Sequence, residues 1–374
     1  MLVANCFRFA VFYCELFASM VLGTYSIARI SITGQVNLKK QITLSSHRAE
    51  KPSPVLLLKD YQKPVNALCW SPDGKYIATV SDDGTGLVWN NADSDLSKVS
   101  QIHAVESNNG LPLKAVTWSS DGTLAAFAGR DGIVFLTEPA PLTAFAFFKR
   151  IRREESIGPT SPISALAWCP GSELLAAGCR DGAVRVWNTS STAVAATLRG
   201  HGAPVLALAF APGGGLLASG DRAGCARVWD LATEAVARTI YSGGGAGGVT
   251  ALEWRPSPGP DGETLAVLWS EGSLDLHLRP AGPGITSEPD RPARCLEVEI
   301  DPSRRPKKMS FSPDGRLLAA PSGEKVLVWD LRADSDEPRW TLTGHSGQVL
   351  TAAFSPDGAL LGSASRDCTA RVWA

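Results

Sequence analysis

Three residues that can form a nucleophilic set fall close together near the end of the chain: His345, Ser365 and Asp367. A histidine beside a hydroxyl and a carboxylate is an arrangement that can activate a serine for acyl transfer. Arginines form a second set. Arg130, Arg180 and Arg366 each precede an aspartate, and Arg222 stands at the corresponding place in ASGDRAGC. Guanidinium groups pair carboxylates and phosphates in bidentate fashion, so four of them on one surface would favour acidic or phosphorylated segments. The alternative is that arginine is simply frequent at this place, with its charge solvated. Two basic clusters stand apart: Lys149-Arg150-Ile151-Arg152-Arg153 and Arg304-Arg305-Pro306-Lys307-Lys308. Each reads as a solvated loop, a nuclear-import signal or a nucleic-acid contact. Glu154 and Glu155 offset the first, and a formal net charge of −1 argues against a dedicated nucleic-acid binder.

Other chemistry finds less support. The eight cysteines form no C-x-x-C pair, and Cys69 and Cys169 sit beside tryptophans in apolar runs. They read as buried free thiols in a reducing compartment, cytoplasmic or nuclear. The five histidines form no H-x-x-x-H or H-E-x-x-H, so a metal site has no sequence support. No cofactor is implied either. The run Gly243 to Gly248 holds a formal G-x-G-x-x-G, but a phosphate-binding version must open a helix. Here it leads into Val249-Thr250-Ala251-Leu252, which has strand character. It reads as a flexible loop.

The elements that must position these residues come from a repeat. One segment reads VLALAFAPGGGLLASGDRAGCARVWD, from Val205 to Asp230. Related segments start at Val65, Ile163 and Val349, and weaker copies at Leu113, Val249 and Lys307. An aromatic marks the same point in each: Trp70, Trp118, Trp168, Phe210, Trp254, Phe311 and Phe354. Successive spacings are 48, 50, 42, 44, 57 and 43 residues. Apolar residues alternate at strand period, as in Leu206, Leu208 and Phe210 against Val205, Ala207 and Ala209. Both faces are apolar, so these strands expect cover on both sides. Asp-Gly pairs such as Asp73-Gly74 and Asp357-Gly358 supply hairpin turns, and Asp83-Gly84 and Asp181-Gly182 a second turn.

With its Val-Trp endings and the pairs Gly200-His201 and Gly344-His345, this repeat resembles the WD40 family over roughly residues 51–374. The resemblance implies an all-β, seven-bladed propeller of four-stranded sheets around a central channel. It also implies a buried tetrad of histidine, serine or threonine, aspartate and tryptophan in a blade. Carried over, the tetrad is complete only in the last blade, as His345, Ser365, Asp367 and Trp373. The blade ending at Trp229 keeps His201 but has Ala223 at the aspartate position. The first keeps Ser81, Asp83 and Trp89, with Tyr61 in place of histidine. Thr137 and His277 stand where tryptophan would be. In this frame His345, Ser365 and Asp367 become a structural network rather than a catalytic one.

The resemblance further implies that Pro54–Leu58, which aligns with an outer strand, completes the last blade. Residues 1–50 would then be an N-terminal extension. Its first 23 residues are strongly apolar but interrupted by Arg8 and Glu15. An accessory apolar or poorly ordered segment is the expectation, with membrane insertion or a cleaved signal as the alternative. The implied function is a non-catalytic scaffold or adaptor in a multiprotein complex, binding peptide segments on the face lined by the four arginines. Alternatives are a propeller anchored to an internal membrane for trafficking and a transducin-β-like corepressor subunit. Nothing in the sequence requires a homo-oligomer.

Overall fold

The structure, a computed structural model, describes residues 54–59, 61–90, 100–107, 110–138, 149–151, 161–242, 247–256, 263–279, 292–301, 305–333 and 335–374. It also describes four two-residue strands, Tyr25–Ser26, Arg29–Ile30, Val36–Asn37 and Gln41–Ile42. The chain divides into two units, Met1–Lys51 and Pro52–Ala374. In the first, Tyr25–Ser26 pairs antiparallel with Gln41–Ile42, and Arg29–Ile30 with Val36–Asn37. The apolar run 1–23, and with it the anchor and signal readings, lies outside the described residues. No helix among the described residues is long and apolar enough to cross a membrane.

The second unit holds seven four-stranded antiparallel sheets. Their inner strands are Val65–Trp70, Leu113–Trp118, Ile163–Trp168, Val205–Phe210, Val249–Trp254, Ser310–Phe311 and Val349–Phe354. We number the blades 1 to 7 in that order. Each blade takes its first three strands in sequence, and blades 1 to 6 also take the fourth. Blade 7 closes differently. Its outer strand is Pro54–Leu58, which pairs with Ala370–Trp373 through Leu58 opposite Ala370 and Leu56 opposite Val372.

Burial on both faces makes blades stack. Seven apolar clusters occupy the seven contacts between neighbouring blades. Between blades 7 and 1, Ala364, Ala370 and Val372 meet Val65, Leu68, Trp70 and Ile77, with Leu58 of the borrowed strand. In two blades the repeated aromatic of the inner strand also ties neighbours together. Trp70 Nε1 donates to the Ala353 carbonyl of blade 7 at 3.1 Å, and Trp254 Nε1 to the Ala209 carbonyl of blade 4 at 3.2 Å. Small residues permit this approach. A β-carbon on Gly220 of blade 4 would fall 2.2 Å from Val249 Cγ1 of blade 5.

Two local features position the candidate site. The first is the turn between the second and third strands of a blade, which lies beside the start of the inner strand. In four blades the amides of Arg130, Arg180, Arg222 and Arg366 donate to the carbonyls of Pro112, Pro162, Pro204 and Gln348, at 2.9–3.0 Å. These turns therefore share one end of the ring, which we call the rim. The second is a β-bulge. In six blades the inner strand shifts register at its second residue: Asn66, Lys114, Ser164, Leu206, Thr250 and Leu350. A bulged residue is released from the ladder and can be re-aimed.

Candidate functional site

The histidine sets lie within the blades. In blade 7, His345 Nδ1 lies 2.8 Å from Asp367 Oδ2, and Nε2 lies 2.8 Å from Ser363 Oγ. Trp373 Nε1 donates to the same Ser363 oxygen at 2.8 Å. An ionised aspartate only accepts, so the network assigns the proton to Nδ1, and the Ser363 hydroxyl donates to Nε2. The serine of this network is Ser363, not Ser365. Ser365 and Ser363 are two residues apart and share a strand face, but Ser365 sits nearer the turn. There its hydroxyl donates to the Gly347 carbonyl at 2.8 Å and accepts the Asp367 amide at 3.2 Å.

Blade 4 holds the same network, which corrects the expectation of a single complete set. His201 bonds Asp221 at 2.8 Å and Ser219 at 2.7 Å, and Trp229 donates to Ser219 at 2.7 Å. Its aspartate comes from the position that Ser365 occupies in blade 7. Ala223, at the place of Asp367, is bypassed because a carboxylate two residues earlier reaches the same imidazole nitrogen. Blade 1 uses Thr79 rather than Ser81: Trp89 Nε1 donates to Tyr61 Oη at 3.1 Å and to Thr79 Oγ1 at 3.2 Å. Ser81 instead donates to the Lys63 carbonyl, and Asp83 accepts the Gln62 amide.

The glycine before each histidine has a steric reason. Gly200 and Gly344 adopt φ of 156° and 157°, and a β-carbon would meet Arg227 Nη1 at 2.8 Å and Arg371 Nη1 at 2.6 Å. Ser219 and Ser363 are wholly buried. A hydroxyl already engaged by an imidazole and an indole inside a blade has no path to a substrate, and a nucleophile needs one.

Burial pushes the His201 imidazole down, and the Asp221 hydrogen bond only partly opposes it. For Asp367, burial pushes the carboxyl up. Bonds from His345 and Thr369 outweigh it and hold the group well below the carboxylate range. His201, Asp221 and Cys225 lie close enough together to hold a metal ion. Both ring nitrogens of His201 are already bonded within the tetrad, so a metal would have to displace Asp221 or Ser219.

The rim is where charge gathers. Arg130, Arg180, Arg222 and Arg366 are all exposed, on the equivalently anchored turns. Inside them sits a polar network that the sequence did not reveal. Lys307 Nζ donates to Asn66 Oδ1 at 2.5 Å, reaching from blade 6 past blade 7 to blade 1. Asn66 Nδ2 donates to Asp82 Oδ1 at 2.5 Å and to the Leu113 carbonyl at 2.8 Å, and Lys114 also bonds Asp82.

The backbone explains that reach. The segment before Ser310–Phe311 leaves its own sheet: the Lys307 and Lys308 amides donate to the Leu350 carbonyl at 2.7 and 3.3 Å, and Ala352 donates back to Lys308 at 3.0 Å. Lys307 is thus drawn against blade 7. Loss of hydration holds its ammonium far below the lysine range, and Lys114, Arg366 and Arg130 deepen the effect against Asp82.

The basic clusters therefore differ from the loops expected of them. Lys149–Ile151 is the outer strand of blade 2, paired with Val134–Leu136. Arg152, Arg153 and Arg304 lie outside the described residues, as does the glycine run over 243–246. Lys307 and Lys308 belong to the inner wall, and Arg305 lies near Arg222, its guanidinium pushed down first by burial and then by that neighbour. Lys307 was within reach of the sequence. It stands four residues before Phe311, as Asn66 and Lys114 stand four before Trp70 and Trp118.

The family model described as "WD domain, G-beta repeat" matches residues 52–90, 152–188, 193–230 and 336–374. Three of those stretches start at the outer strand of one blade and run through three strands of the next. The chain is 36% identical over 66 residues to "Target of rapamycin complex subunit wat1" of Schizosaccharomyces pombe, covering 18% of this chain and 21% of that one. It is 22% identical over 327 residues to "Cell division cycle 20.1, cofactor of APC complex" of Arabidopsis thaliana, covering 86% and 56%. It is 28% identical over 160 residues to "Probable cytosolic iron-sulfur protein assembly protein 1" of Cryptococcus neoformans, covering 32% and 36%. The matches thus span little more than half of these relatives at most. A repeat whose unit begins on one blade and ends on the next, closed by Pro54–Leu58 as the last outer strand, makes this chain a WD40-repeat β-propeller.

Proposed function

We propose that the chain is a non-catalytic interaction scaffold, a subunit or adaptor of a multiprotein complex. Its binding face is the rim, and its ligands are short acidic or phosphorylated protein segments. The observation that carries this reading is four exposed arginines on turns anchored alike, at one end of a rigid ring. Rigid turns present their side chains with little ordering cost, and guanidinium forks suit carboxylate and phosphate. The relatives support the class: two are named as a complex subunit and a cofactor of a complex. The free cysteines Cys69, Cys169, Cys179, Cys225, Cys295 and Cys368 fit a reducing compartment, and we place the chain in the cytoplasm or nucleus.

The test is selection from a displayed library of acidic and phosphorylated peptides on the full chain. We expect enriched sequences whose capture is lost when Arg180→Glu and Arg366→Glu are combined. Enrichment that survives the double charge reversal would remove the rim from this account.

A further inference from the structure

The centre of the rim gathers more basic groups than its own network uses. Lys114, Arg130 and Arg366 bear on Lys307, and Asp82 opposes them. Asp82 is already engaged by Lys114 and Asn66. Lys307 Nζ has a neutral amide oxygen as its partner, although an ammonium can donate three bonds. A buried side chain beside the Arg366 turn is also unpartnered. Gln348, 6% exposed, has a side-chain amide with no hydrogen-bond partner at either end among the described residues. Its backbone carbonyl anchors the Arg366 turn. Buried amides are normally satisfied, so an orphaned one marks a place where a partner is missing.

Such an arrangement is costly when empty and favourable when an anion enters. We propose that the centre of the rim is a binding site for a small, free, phosphate-bearing anion, held by Lys307 and Lys114 with Arg130 and Arg366 around it. A phosphate dianion suits this excess better than a carboxylate. It carries more charge, and its oxygens can accept from ammonium and guanidinium groups together. The inference goes beyond the peptide reading, since its ligand is a solute and its central residues are Lys307 and Lys114. It shares only the arginines with that reading.

Binding also has a proton signature. Lys307 sits low because it lost water and faces Lys114, Arg366 and Arg130 with Asp82 opposing. A bound dianion favours the ammonium and raises the group again. The complex therefore takes up a proton at any pH between the free and bound values.

The experiment is calorimetric titration of the full chain with inorganic phosphate and with glucose 6-phosphate. Each is repeated in two buffers of different ionisation enthalpy, from neutral to alkaline pH. We expect saturable binding of both with net proton uptake. Lys307→Met should weaken binding at least about tenfold, the loss of one charge-assisted contact. Lys307→Arg keeps the charge but does not titrate in this range, so it should bind while abolishing the proton uptake. Thermal melts identify any variant that fails to fold, and Lys114→Gln then serves as the second probe.

Absence of phosphate binding, or binding indifferent to both lysine changes, overturns the proposal. Capture of a phosphoserine peptide through Lys307 without binding of either free phosphate overturns it as well, and assigns the locus to a protein segment. Acidic-peptide capture that depends on Arg180 and Arg366, with no response to phosphate, sinks the proposal and leaves the rim reading standing.

Discussion

At the scale of single residues, the buried networks teach most. Ser363 receives the indole proton of Trp373 and gives its own to His345, so removing it strands two buried groups at once. At about 1–3 kcal/mol for each orphan, Ser363→Ala should cost roughly 2–4 kcal/mol. Ser365→Ala loses a bond to Gly347 and a cap on the Asp367 amide, and should cost about 1–2 kcal/mol. Urea denaturation of the two variants ranks them, and the reverse order would contradict the assignment.

The pH response follows from His201. Its folded value is held below the ordinary imidazole value of 6.5, so the unfolded chain takes the proton first. The stability it contributes is whole above about pH 6.5 and is lost as pH falls from there towards the folded value. Denaturation midpoints measured between neutral and mildly acid pH should fall, and less steeply in His201→Gln.

The sequence marks the histidines and tryptophans but does not separate Ser363 from Ser365, because the two share one strand face. Period alone does not say which of two such hydroxyls meets the imidazole. The same two-residue ambiguity hid Asp221 behind Ala223.

At the scale of elements, the repeat was legible because each blade places an aromatic at the same point, buried in six blades and half-buried as Phe354 in the seventh. Blade 6 was harder. Its inner strand in the sheet is only Ser310–Phe311, and the residues before it bond to blade 7 instead. A basic cluster in such a segment looks like a loop in sequence, whereas backbone pairing makes it part of the wall. Close approach between blades gives a direct check. The β-carbon of Gly220→Ala would collide with Val249, which is itself fully buried and has no room to withdraw. Overpacking of this kind costs about 1–3 kcal/mol, and a thermal melt should show the loss.

The borrowed strand gives a second check. Deleting Pro54–Leu58 removes Leu58 from the cluster between blades 7 and 1 and bares the Ala370–Trp373 edge. Burial of one leucine alone contributes about 1.5–3 kcal/mol. The whole ring should lose stability, and the open edge should promote aggregation, visible by light scattering. An unchanged melt would contradict closure.

At the scale of the molecule, stability and function separate. Apolar contact between neighbouring blades recurs at every step of the ring, while the hydrogen-bonded tetrad is complete in blades 4 and 7. Packing therefore holds the ring, and the tetrads fix the turns of two blades. The rim arginines were legible as a set because they recur at one repeat position. The inner residues share a repeat position too, but their bonding was not legible, since Lys307 reaches Asn66 across 241 residues of sequence.

The measurement that tests the binding face most directly is amide hydrogen exchange on the full chain, with and without a peptide selected from the library. Protection is expected over the rim turns containing Arg130, Arg180, Arg222 and Arg366. Protection confined to the outer edges of the blades, such as Val194–Leu198 and Ala235–Tyr241, would contradict it.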